Sequence, residues 1–396
     1  MSTEPKEKKA TGWDNLPLEM KQKVVKEMNT TTRAFLKRVS KAERRLVRMT
    51  EALMGEVKLS AFSDDHIELQ IPDCGVNLNL RQNGNMCVIE RQQGEELKTK
   101  SIVGNVREVL MNIFKSIIDS DYNLIRIDTL SIGFAGAEDE RLAALFDDTD
   151  LRIVTNKLIV FNNNVRAAKK VLERCNERRL SEIQMGNLVE GVIDVNHILE
   201  VPQFRNARNC YLYQRTNATD ETLLLMQSSI IHIRSNDITV NGINLFIKNW
   251  IERDMDIGSR FAIGYSSKFH KCDITDGCNV TRSFVGEKDT DIVFISMGNN
   301  KSMRLKSTPH GIFGIVIEGN REDNTDSYKK MEACVDYGRC RCLASFMDPF
   351  EDWDDEFDGD SEEDDGSEYY YDSQSEFGDG FSDLEVNDDD EDYDDY

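Results

Sequence analysis

The 396-residue sequence predicts an α+β to α/β chain in three parts: a three-helix N-terminal unit, a larger α/β body and a disordered acidic tail. Three observations carry that reading. Apolar residues repeat at helical spacing up to Leu53, short β-type and helical patterns then follow one another through the middle of the chain, and from Asp348 onward the sequence is almost wholly acidic and polar.

The N-terminal unit is read over residues 12–55. Leu16, Met20, Val24 and Met28 recur at every fourth position, Phe35, Leu36 and Val39 form a second stripe, and Ala42, Leu46, Met49 and Leu53 form a third. Pro17 suits a first helical turn, Glu19 complements the helix dipole there, the polar cluster Asn29 to Thr32 interrupts the pattern, and Ser40 can cap a third helix. Three short helices follow from this. So small a unit cannot bury enough surface to be robust alone and must lean on the body or on a partner.

Residues 56–100 read as a small β linker region. The runs VKLSAF, HIELQI, VNLNL and MCVIE are separated by Asp-Cys-Gly and Asn-Gly-Asn, which is the turn chemistry of paired strands. From 101 to 320 helix and strand alternate. Helices are expected near Val103–Ile118, Glu138–Phe146, Val165–Asn176, Asp194–Leu199, Asp220–Met226 and Val240–Ile251; strands are expected near Leu124–Ile132, Lys157–Phe161, Leu180–Met185, Asn209–Tyr213 and Ser229–Arg234. The runs Asp291–Ser296, Met303–Lys306 and Ile312–Glu318 suggest a closing β element. Strands that recur every 20 to 30 residues or so make the body an irregular, leucine-rich-repeat-like α/β array, curved and largely parallel, without a strict consensus.

The tail, residues 348–396, holds 25 Asp and Glu and no Lys or Arg. It therefore accounts for the net charge of -24, because the rest of the chain carries 49 basic against 48 acidic residues. Such a segment cannot offset its ordering entropy by burial. It can solubilise the chain, attract basic partners or cover the basic N-terminal helices. Ser361, Ser373 and Ser382 each have an acidic residue three positions later, a pattern suited to acidophilic kinases. The first residues lack an apolar signal core and no run is long enough to span a bilayer, so a cytoplasmic or nuclear protein is expected, with no membrane partner. Nine cysteines at irregular spacing then read as reduced thiols, and the sequons at Asn217 and Asn279 carry no weight.

Catalytic signatures are missing: there is no phosphate loop, nucleophile elbow, H-E-x-x-H or dinucleotide fingerprint. No catalytic residue, cofactor or metal is expected. His232 in the run IIHI reads as a strand residue; His270 with Cys272 and Cys278, and Cys334 with Cys340 and Cys342, lack paired zinc-ligand spacing. Arg33, Lys37, Arg38, Lys41, Arg44, Arg45 and Arg48 crowd the second and third helices. Without aromatic interleaving in a neutral body they read as a solvated face, and nucleic acid is not an expected partner.

The stretch Leu16–Val47, LPLEMKQKVVKEMNTTTRAFLKRVSKAERRLV, resembles an F-box, with Leu-Pro-x-Glu, the branched pair Val24-Val25, Met28 before Asn29, and Leu36, Val39 and Ser40 in the second-helix pattern. The segments VRAAKKVLERCNERRLSEIQM, HILEVPQFRNARNCYL and IHIRSNDITVNGINLFIKNWI resemble the FTH-type domain that accompanies F-boxes in expanded nematode families. Arg33, Glu43 and Phe204 depart from the family, standing where an apolar residue, a Trp and a Trp are common. The resemblance implies a non-catalytic substrate-recognition adaptor of a Skp-cullin-F-box E3 ubiquitin ligase. Leu16, Pro17, Met20, Val24, Val25, Met28, Leu36 and Val39 would contact the Skp-type adaptor, and through it cullin, while the body holds an unidentified target protein. The alternative is a ligase-independent scaffold whose acidic tail binds basic partners.

Overall fold

The computed structural model of the chain describes residues 12–28, 30–63, 65–93, 96–118, 125–134, 146, 151–161, 165–186, 191–265, 271–285 and 290–319. Apart from Phe146, the helix expected at Glu138–Phe146 lies outside these residues; so do the acidic tail, His270, Cys334, Cys340 and Cys342.

Three helices form the head: α1 (Leu18–Glu27), α2 (Thr30–Val39) and α3 (Lys41–Arg48), with a 3-10 turn at Trp13–Asn15 ahead of them. Pro17 occupies the N-cap of α1, one position earlier than the first turn. Ser40 caps α3, its hydroxyl accepting from the amides of Ala42 and Glu43, a contact worth about 1 kcal/mol. The head's own core is Val25, Leu46 and Val47, with Trp13, Met28 and Leu36 packed on it. Three fully buried side chains at roughly 2 kcal/mol each fall short of the ordering cost of three helices, at roughly 1 kcal/mol or more per residue. The head is accordingly pinned to the body. α3 ends at Arg48 and β1 begins at Ala52, and in between Glu51 pairs with Lys26 of α1 at 3.1 Å and with Arg126 of the sheet at 2.6 Å.

All the strands among the described residues join one 15-stranded sheet. A meander opens it: β1 (Ala52–Ser63), β2 (His66–Ile71), β3 (Val76–Asn83), β4 (Met86–Gln93) and β5 (Glu96–Val103), each antiparallel to the last. α4 (Val106–Ile118) returns the chain, and β6 (Ile125–Phe134) lies parallel to β1 on its other side. Residues 56–100, read from sequence as a linker, are thus built into the same sheet as the body. There follow β7 (Thr155–Phe161), α5 (Val165–Arg174), β8 (Glu182–Gly186), α6 (Asn196–Leu199), α7 (Pro202–Asn206), β9 (Asn209–Thr216), α8 (Asp220–Leu225), β10 (Ile230–Ser235), α9 (Val240–Glu252) and β11 (Arg260–Gly264). Each of these strands is parallel to the one before. α10 (Lys271–Ile274), β12 (Val280–Val285), β13 (Asp291–Gly298), β14 (Lys301–Thr308) and β15 (Gly311–Glu318) close the sheet, β15 running antiparallel to β11. The β13–β14 turn, Asn299-Asn300, has φ of 48° and 57°, the left-handed pair that a two-residue hairpin needs. The sheet is therefore mixed, with antiparallel strands flanking the parallel ones on both sides. Neither β11, β12 nor α7 was expected from the sequence.

One register row runs across the sheet from Val57 through Leu130, Leu158, Ile183, Cys210, Ile231 and Phe261. Every side chain in it is fully buried. Against this face lie Leu110 and Phe114 of α4, Val171 and Leu172 of α5, Leu223 of α8, and Phe246 and Trp250 of α9, all in one core cluster. Successive parallel strands are added in one direction, so right-handed crossovers put the helices on a single face. Phe246, Trp250 and Phe261 meet edge to face or tilted, with ring centroids 5.1 to 5.2 Å apart. Gly314, opposite Phe261 in the row, leaves room for that ring: a β-carbon there would sit 2.3 Å from it. The Cys175 and Cys210 thiols are free and buried in this core, and burial pushes Cys175 up to about 12.

Candidate functional site

Two regions remain once the main core is accounted for: one on the head, the other on the face of the sheet against which, among the described residues, no helix packs. On α1 the residue that packs inward is Val25, with no exposure, whereas Met20 and Val24 of the four-residue stripe are 47% and 41% exposed. The middle of the stripe visible in the sequence, Met20 and Val24, therefore points to solvent, and its neighbour Val25 makes the core. Pro17 is exposed and shares the Met20–Val24 side of the helix by its spacing. Leu16, Met28 and Leu36 are half-buried, and Val39 at the end of α2 is 71% exposed. Met28, Leu36 and Val39 are brought together with Trp13, Ser40, Ala42 and Glu43 around a pocket of about 440 Å³. Leu18 and Phe35 are also about half exposed. Neither belongs to the contact set that the F-box resemblance implies.

The two departures in the head have structural roles. Glu43 accepts the indole N–H of Trp13 at 3.2 Å, fixing a wall of the pocket. Arg33 is not part of a solvated basic face: it is only 6% exposed and donates to the carbonyls of Val47, Thr50 and Glu51. It thereby supplies a donor to the carbonyls that follow α3, Thr50 and Glu51, and a second one to Val47, which also accepts from the Thr50 amide. Burial lowers its basicity. Lys37, Arg38, Lys41, Arg44, Arg45 and Arg48 are exposed as expected.

The second surface is the side of the sheet opposite the helices. Its apolar part, Ala262, Phe294, Phe313, Ile315 and Ile317, forms a separate buried cluster to which, among the described residues, only strands contribute. Beside it lies a polar and aromatic strip. Lys157 meets Glu182 at 3.0 Å, and Gln184 and Asn209 donate to the same carboxylate at 2.8 and 3.2 Å. At Glu182 burial pulls the pKa up, but the bonds from Lys157, Asn209 and Gln184 and the lysine charge outweigh it and leave the carboxyl below its ordinary value. Tyr211 stacks on Tyr213 with centroids 6.1 Å apart, and Tyr213 meets the His232 ring at 5.6 Å. Burial, with Glu182 nearby, raises the Tyr211 hydroxyl above the usual phenol range. His232 is thus a strand residue in an aromatic strip. Among the described residues no group of three or more His, Cys, Asp or Glu is placed to hold a metal, and no helix is long and apolar enough to cross a membrane.

Comparison with known families finds two matching segments. An F-box domain model matches residues 13–52, from the first 3-10 turn to the start of β1. An F-box associated domain model matches residues 201–256, which hold α7, β9, α8, β10 and α9. The chain therefore joins an F-box head to an F-box-associated segment in the parallel part of the sheet. Within the second match, Phe204 is 2% exposed, an aromatic filling a core position. No curated protein and no solved structure matches the chain.

Proposed function

We propose that the chain is the substrate-recognition adaptor of a Skp-cullin-F-box ubiquitin ligase. The head binds the Skp-type adaptor, and through it cullin; the sheet body holds the target. One observation carries this reading: within a segment that matches the F-box domain, the patterned apolar residues Met20, Val24 and Val39 are left exposed while Val25, Leu46 and Val47 fill the core. An amphipathic helix that leaves part of its apolar face exposed is suited to a groove in another protein. The contact set is Leu16, Pro17, Met20, Val24, Met28, Leu36 and Val39, with Val25 supporting it from beneath. In this role the chain is non-catalytic and works in the cytoplasm or nucleus. We read the body as leucine-rich-repeat-like in arrangement, supported by the sequential strand order and the one-sided helices, although its sequence lacks a repeat consensus.

The test uses Met20→Asp with Val24→Asp in the full chain. Both sites are exposed, so the double change should alter stability by less than about 1 kcal/mol while abolishing co-purification of the adaptor. Val25→Asp should instead unfold the head. Undiminished adaptor recovery with the double variant would refute the proposed docking surface. A chain that binds a target without recovering adaptor would be a scaffold.

A further inference from the structure

We infer that the outer edge of β5 takes up an extended segment of the target as an added strand, one whose carboxylates alternate with apolar residues. The inference rests on the reading of the body as the target-holding part and adds where, and by what chemistry, the target is held. β5 stands at the end of the sheet, and among the described residues β4 is its one strand neighbour. Its register is unbroken from Glu96 opposite Gln93 to Val103 opposite Met86, and the strand holds no proline. At the other end of the sheet the register of β12 shifts between Val280 and Arg282, the kind of irregularity that blunts an edge. β5 has neither protection.

The ladder decides which backbone groups face outward. The Gly104 amide donates to the Asn85 carbonyl at 3.0 Å, one pair beyond Val103 and Met86 in the register. Hydrogen-bonded pairs alternate along an antiparallel ladder, so Ile102, Lys100 and Lys98 bond inward to β4. The amides and carbonyls of Leu97, Thr99, Ser101 and Val103 point away from it. All of these residues are exposed, Leu97 by 63% and Val103 by 73%, so an arriving strand can continue the ladder. Side chains alternate as well. Ile102 packs on the main core; Lys98 and Lys100 share its face, while Leu97, Thr99, Ser101 and Val103 line the other. Both lysines are exposed, neither forms an ion pair among the described residues, and Lys98 stands opposite Arg91 rather than a carboxylate. From Leu97 to Val103 the strand has no acidic residue. The two lysines are about 6.8 Å apart along the strand, the repeat of alternate side chains in any neighbouring strand. The complement is therefore a strand with carboxylates at alternate positions and apolar residues between them, which meet Leu97 and Val103. A second copy of β5 laid antiparallel on the first would set lysine against lysine, so the charges that admit an acidic strand also disfavour self-pairing.

The test is fluorescence anisotropy with the full chain and three labelled peptides of about nine residues, long enough to span β5. The first alternates Glu with Val and Thr, the second has the same composition with its glutamates adjacent, and the third is the first with N-methylated backbone amides. The first should bind at least about tenfold more tightly than the other two. Lys98→Glu with Lys100→Glu should weaken it about tenfold and favour a peptide with Lys in place of Glu. Ser101→Pro removes an outward amide while leaving the bonds to β4; it should weaken binding similarly, and it keeps the test valid if the charge reversal disturbs the hairpin. Hydrogen exchange at the Leu97, Thr99, Ser101 and Val103 amides should be fast in the free chain and slow with the first peptide. Equal binding of the three peptides, or indifference to both variants, would overturn the inference. So would amides already protected without peptide: protection at every concentration would mean that the chain's own acidic tail or another of its segments takes the edge, and protection that grows with concentration would mean a second copy. If the peptide is ignored while adaptor is still recovered, this inference fails and the ligase reading stands. Peptide binding without adaptor recovery is the reverse case.

Discussion

Replacing Arg33 by Met tests how the head is held. The guanidinium is 6% exposed and donates to Glu51 O at 2.7 Å, to Thr50 O, and more weakly to Val47 O at 3.4 Å. Two good bonds from a charged donor are worth roughly 1.5 to 3 kcal/mol each. Methionine fills a similar volume but leaves those carbonyls unpaired, and it also removes a cation whose desolvation costs several kcal/mol. The balance favours arginine by about 2 to 4 kcal/mol, because the Thr50 and Glu51 carbonyls that take its two good bonds lie beyond the last residue of α3. For a domain of this size that is a fall in Tm of roughly 4 to 8 °C. Thermal unfolding of the full chain measures it, and hydrogen exchange at the α3 amides should show the loss concentrated in the head. Lysine should rescue little, since one ammonium cannot reproduce the forked contact. A methionine variant as stable as the parent, or more so, would refute the reasoning by showing that desolvation outweighs the bonds.

Glu51 joins head and sheet, and the hydrogen bonds from Lys26 and Arg126, helped by their charges and opposed by burial, hold its carboxyl below the usual range. Its folded pKa is lower than the unfolded one, so its contribution is complete above the ordinary glutamate value of about 4.3 and disappears as pH falls through the folded value. Acid titration should therefore destabilise the parent more steeply than Glu51→Gln, and parallel curves would count against the pairing. Gly314→Ala should cost about 1 to 3 kcal/mol by overpacking, since the added carbon meets Phe261 at 2.3 Å and Leu305 at 3.0 Å; an unchanged unfolding midpoint in denaturant would show that the ring can give way.

Much of the chain was legible before its structure. Ser40 as the cap of α3, the helix at Val240–Glu252 and the strands around Lys157–Phe161 and Ile230–Ser235 all carry short-range signals, and each forms near where those signals place it. β11 was missed because Arg260–Gly264 is only five residues long and has no alternation, all three of its central residues being buried. β12 was missed for the opposite reason: Val280–Val285 is an exposed edge strand, paired on one side only, whose partner strand supplies the order that its own sequence lacks. The small β region was legible as strands, but not as part of the body, because its attachment is the long-range parallel pairing of β1 with β6.

The candidate sites divide in the same way. The sequence by itself determined that α1 has an apolar stripe, that the tail holds the negative charge and that the residues of an F-box are present. Only the tertiary structure decided that Met20 and Val24 face outward while Val25 faces in, that Arg33 leaves the basic cluster to bond the carbonyls that follow α3, and that β5 stands at the end of the sheet. Periodicity identifies a face of an element. What that face meets depends on which other elements reach it, and those contacts are made by residues far apart in the chain.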